Sequence, residues 1–170
     1  MNSSSTHSGA ALPVRGRARL HPFAGVFAGL AAGCVYLLAQ VVLAGVLGSG
    51  DAWLPLERIA AMLLGEDALY SRGFDVNLAG IGLLLHFAVS MVYGRLIDAV
   101  VRDSPAGRAT LLGAATGVAL YAIAFGIVAP VAFPWFEGSP GLITAFDHVL
   151  FGAVAGYACA RLRKRWSAAG

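Results

Sequence analysis

An all-α integral membrane bundle of four transmembrane helices is the fold class this sequence predicts, and three observations carry it. Of its 170 residues, 58% are apolar and 12% charged, against the roughly 25% charged usage of soluble domains. Four apolar stretches, 22–47, 76–101, 109–133 and 142–160, approach or exceed the ~20 residues that cross a hydrocarbon core of ~30 Å. Ten of the twelve Lys and Arg residues fall in three clusters that a single membrane face can collect.

Residues 1–21 are rich in Ser, Gly and Arg and lack helical periodicity, so a mobile cytoplasmic tail is expected ahead of a four-helix domain over 22–162 and a basic cytoplasmic tail over 163–170. The first stretch resembles a signal peptide in outline. Its length, its late start and the lack of an A-x-A site favour a retained anchor. Leu30-Ala31-Ala32-Gly33-Cys34 likewise approximates a lipidation site, but its Leu falls one position early and the apolar run continues to Leu47. Backbone groups in lipid must pair internally, so stretches of this length form helices; the alternating polarity of barrel strands is absent.

Charge orients the bundle. Arg15, Arg17 and Arg19 precede the first helix, Arg95, Arg102 and Arg108 flank the turn after the second, and Arg161, Arg163, Lys164 and Arg165 follow the fourth. Only Arg58 and Arg72 fall elsewhere. By the positive-inside rule both termini face the cytoplasm, as in a bacterial inner-membrane protein. Arg95, Asp98 and Arg102 lie one helical turn apart, which suits snorkelling and local pairing.

The loop 48–75 holds a further element. Pro55 starts a short interfacial helix with Leu56, Ile59, Ala60 and Leu63 on one face and Glu57, Arg58 and Glu66 elsewhere. Trp53, Trp135 and Trp166 suit the interfacial aromatic belts.

Packing signals are strong. Gly25, Gly29 and Gly33 recur every fourth residue of the first span, followed by Tyr36 and Gln40 on the same face. Gly113 and Gly117 precede Tyr121 in the third, and the fourth has Gly152 and Gly156. Such pairs let helices approach within dispersion range; neighbours in the same chain are the expected occupants, and a second copy or another membrane protein the alternative. His86-Ser90-Gly94 and His148-Gly152-Gly156 share a spacing, so the two hairpins have the marks of a weak parallel repeat, against chance likeness of Gly-rich helices.

Polar groups within spans turn away from lipid. Gly82, His86, Ser90 and Tyr93 occupy one sector of about 60–80° on the second helix. With Gln40, Asp147 and His148 they form a candidate intramembrane polar site, which either lines a cavity that handles protons, cations or a polar solute or only supplies interhelical hydrogen bonds. Two histidines on different helices also admit a bound haem as a minor reading. Cys34 and Cys159 lack a C-x-x-C or a ligand cluster and are expected to be buried, inert thiols. No metal site or cofactor is read from the sequence. Walker, zincin and G-x-S-x-G motifs are absent, so no enzyme is read either. The net charge of +3 sits beside apolar runs, where topology accounts for it without nucleic acid.

The Gly-rich first span, Glu57-Arg58-Ile59-Ala60-Ala61-Met62-Leu63-Leu64-Gly65, His86 with Ser90-Met91-Val92-Tyr93-Gly94, and Phe133-Pro134-Trp135-Phe136 ahead of the segment from His148 to Gly152 together resemble a family of short bacterial four-span membrane proteins of unknown function. Relatives of that kind are sometimes labelled sodium/proline symporters. The resemblance implies fold and location and carries over no functional residues. Two functions are therefore expected in outline: a structural or interaction protein of the membrane, or a small transporter or channel using the histidine region.

Overall fold

The computed structural model describes residues 23–46, 53–70, 73–134 and 141–169. The tail 1–21, the first span's expected ends at Pro22 and Leu47, Arg72, and Trp135 with Phe136 lie outside them. Among the described residues all regular structure is helical: α1 (Ala24–Val46), α2 (Leu54–Leu64), a 3₁₀ turn (Glu66–Tyr70), α3 (Val76–Val101), α4 (Ala106–Ile123), a π turn (Ala124–Val128), α5 (Ala129–Ala132) and α6 (Leu142–Ala169). Four spans long and apolar enough to cross a membrane result, because α4, the π turn and α5 run on as a single 27-residue span. The protein is thus an all-α, multi-pass membrane protein.

Local chemistry sets the element ends. Asp75 caps α3, its carboxylate accepting from the backbone N–H groups of Asn77 (2.7 Å) and Leu78 (3.3 Å). Gly65 ends α2 at φ 96°, a conformation that disfavours side chains, while its N–H donates to the Ala61 carbonyl. In the 3₁₀ turn the Tyr70 hydroxyl donates to Glu66 at 2.9 Å, and the carboxylate it faces holds that hydroxyl above its ordinary pKa.

Glycine decides the packing. In lipid, helix association draws on close van der Waals contact rather than on the hydrophobic effect. A side chain at Gly29 would strike the Ser90 carbonyl of α3, and one at Gly113 the Gly152 carbonyl of α6. One at Gly94 would strike the Gly25 carbonyl, and one at Gly156 that of Ala109. Each pair of clashes is related by the same two register shifts, so α1–α3 and α4–α6 are equivalent antiparallel hairpins. The predicted glycines all pack within the chain, around a core of Ala28, Ala32, Ile97, Val101, Phe151, Ala155 and Cys159.

The equivalence is imperfect in one respect. Helix α6 lies closely along α1, whereas the corresponding α3–α4 contact is slight. A gap is left on that side.

Several details differ from the sequence reading. Helix α2 buries Leu56, Glu57, Ala60 and Ala61, and Leu63 is 69% exposed. It docks with the Leu56 carbonyl on Gly82, a glycine-sized recess, and this turns Glu57 inward. Cys34 is exposed because its face of α1 points away from the bundle; Cys159 is buried as expected. Helix α6 does not stop near Ala160 but continues to Ala169, with no Gly or Pro between Gly156 and Ala169 to break it. Its Arg163 reaches across to α3, pairing with Asp98 at 2.8 Å and donating to the carbonyls of Asp98 and Arg102. A cation over exposed helix-end carbonyls is favourable, and this one also ties Asp98 to α6. Trp53 stacks near Phe74 (4.6 Å between rings), and Trp166 meets Phe27 edge-on at 6.1 Å.

Candidate functional site

A cavity of about 490 Å³ opens beside the α3–α4 gap. Polar groups line it from four helices: Tyr36 and Gln40 on α1, Arg58 on α2, His86, Ser90 and Tyr93 on α3, and Thr144 and His148 on α6. Helix α2 supplies an outer wall through Pro55, Arg58, Ile59, Met62 and Leu63. The remaining wall is aliphatic or aromatic, including Leu85, Val89, Ile123, Phe125, Val128, Phe133 and Phe151. A volume of this size, mostly apolar with a few convergent polar groups, is typical of a small-molecule site.

Five of the six predicted polar residues reach this wall. Asp147 stands behind it, fully buried, and accepts a hydrogen bond from the Gln40 side chain. Its second oxygen, Oδ1, has no hydrogen-bond partner among the described residues. Gln40 is thereby held between a buried carboxyl group and the cavity.

The two histidines are fixed by their backbones. His86 Nε2 lies 3.0 Å from the Gly33 carbonyl and His148 Nδ1 lies 2.8 Å from the Thr144 carbonyl. A carbonyl oxygen cannot donate, so each of these nitrogens carries the proton. In the neutral rings the second nitrogen of each is then an acceptor. The His86 contact depends on Gly33, since a side chain there would meet both Ser90 Oγ and the imidazole.

Tyr36 stands between the imidazoles, its ring centroid 5.6 Å from His86 and 5.5 Å from His148. Tyr121 and Phe125 also meet His148 edge-on, at 5.6 and 5.8 Å. Among the described residues no three His, Cys, Asp or Glu side chains gather as a metal cage.

Three contributors to the site lie outside the sequence reading: Tyr36 as the link between histidines, α2 as a wall, and the π turn. The last had a signal. Pro130 has no N–H for the Gly126 carbonyl and its ring crowds that carbonyl. The chain relaxes by one wider turn, with the Ala129 N–H donating to the Ala124 carbonyl. That turn brings Ala124, Phe125 and Val128 to the cavity.

No family model, curated protein or solved structure matches the chain. The resemblance to short bacterial four-span proteins rests on its quoted segments alone.

Proposed function

We propose that this chain is a membrane-embedded binding protein for a small amphipathic molecule, held in the cavity between α1, α3, α4 and α6. The supporting observation is the wall itself: two imidazoles, a glutamine, a serine, a threonine and tyrosines, with the Arg58 side chain on the outer wall, converge within an otherwise apolar space of about 490 Å³. A freely hydrated ion or sugar would leave most of that surface poorly matched, whereas a molecule with one polar end and an apolar body suits both parts. This favours an amphiphile over the proton, cation or polar solute of a small transporter.

A purely structural role has less support. Its natural contact surfaces, the glycine faces, are consumed within the chain. The placement that accompanies the proposal is a bacterial inner membrane with both termini cytoplasmic. In its favour, Arg102, Arg108, Arg161, Arg163, Lys164 and Arg165 all lie at the end of the bundle where α3 and α6 finish and α4 begins.

Thermal unfolding of the protein in nanodiscs, titrated with a long-chain alcohol, tests the reading. Ligand at a hundredfold excess over its Kd stabilises by about 2.7 kcal/mol, so the midpoint should rise by several degrees. Ala124→Phe, which fills the cavity, should remove the rise. No rise, or an equal rise in Ala124→Phe, would contradict binding at this site.

A further inference from the structure

We infer that the ligand enters sideways from the bilayer, through the α3–α4 gap, and donates a hydrogen bond from a hydroxyl head to one of the two imidazoles, His86 or His148. This rests on the binding reading above and adds a route and a ligand class to it.

The route follows from which residues are both cavity wall and outer surface. Leu63 on α2 is 69% exposed, Val89 on α3 40%, Ile123 at the end of α4 49% and Val128 in the π turn 45%, yet all four line the cavity. A residue can do both only at a lip. Leu63 belongs to the outer helix α2, whereas Val89, Ile123 and Val128 lie within apolar spans, at or beyond the middle of α3 and of the 27-residue third span, so this side faces hydrocarbon rather than water. An aliphatic lip presents no barrier to a lipid-dissolved molecule, while a charged or sugar-like one would have to cross it without hydration.

The head follows from the histidines. Each has committed one N–H to a backbone carbonyl, at 3.0 and 2.8 Å. The nitrogens left over accept, and the complementary group donates. A neutral alcohol or phenol supplies an O–H without bringing charge beside the buried Asp147. Its apolar body then lies among Leu85, Phe125 and Phe151.

The test uses two diazirine-tailed probes in nanodiscs, a long-chain alcohol and its methyl ether, with cross-links mapped by peptide mass spectrometry. The alcohol should label Leu85 or Phe125 peptides, and the ether, which cannot donate, should label them roughly tenfold less, as for loss of one hydrogen bond worth that factor. The double variant Val89→Trp, Ile123→Trp narrows the lip; its labelling should be several-fold slower while reaching the same extent. Equal labelling by the ether would overturn the head assignment. An unchanged rate in the double variant would overturn the lateral route and leave binding intact. Absence of cavity labelling by both probes would overturn the binding reading itself, and this inference with it.

Discussion

At Gly29 and Gly113 the backbone of a neighbouring helix occupies the place of a side chain, and this makes single methyl groups decisive. Gly29→Ala and Gly113→Ala should each cost about 1–3 kcal/mol through overpacking. Gly80, which has open space around it, is the control: Gly80→Ala should be neutral or stabilising by up to about 1 kcal/mol. Thermal unfolding in detergent distinguishes them, and equal losses at all three would argue against glycine-specific packing. Gln40 and Asp147 form the other decisive residue pair. Gln40→Leu strips a fully buried carboxyl group of its donor, so it should destabilise more than the double change Gln40→Leu, Asp147→Leu. A double-mutant cycle should return a coupling of about 0.5–3 kcal/mol, and additivity would show that the pair is not engaged. The sequence disclosed these residues because polar groups and glycines are conspicuous in apolar spans. It could not disclose that Gln40 holds Asp147, since the two are 107 positions apart and only the fold brings them together.

The elements carry consequences of their own. The π turn exists because Pro130 cannot complete an α-helical bond, so Pro130→Ala should let the helix run on, shift Ala124, Phe125 and Val128 off the cavity, and raise stability by up to about 3 kcal/mol. Long-chain alcohol binding, read by the same thermal titration, should weaken at once. Retained binding with raised stability would show that the wider turn does not shape the site. Span existence was legible from hydropathy, but the turn was hidden within an apolar run whose composition is indifferent to one residue per turn more or less. Helix α2 was legible as a helix from Pro55 onward, yet not its rotation. Its apolar residues cover more than one face, and the recess at Gly82, on another element, selects which face is buried. At the opposite end, Arg163→Ala removes the cation that ties α6 to Asp98 and to the last carbonyls of α3. The loss should be about 1–2 kcal/mol and shrink in Arg163→Lys, because a lysine keeps the charge but not the fork that spans both residues.

For the whole molecule, the cavity turns on broken symmetry. The hairpins α1–α3 and α4–α6 repeat the same glycine register and each places one histidine toward the centre. Perfect repetition would close α4 on α3 as α6 closes on α1, and the space beside Tyr36 would be filled. The π turn and the insertion of α2 in one hairpin alone prevent that closure, leaving a cavity whose lips are aliphatic. The repeat's spacing was visible in His86-Ser90-Gly94 and His148-Gly152-Gly156, whereas the departure from it depends on contacts between helices that no local pattern encodes. The central claim is that this cavity communicates with lipid. Power-saturation electron paramagnetic resonance of single spin labels at the cavity-lining positions 85 and 125, on a Cys34→Ala, Cys159→Ala background in bilayers, measures it directly. High accessibility to oxygen with exclusion of a water-soluble nickel chelate is the predicted result. The reverse, nickel accessible and oxygen not, would make the cavity aqueous and contradict an amphiphile-binding membrane protein.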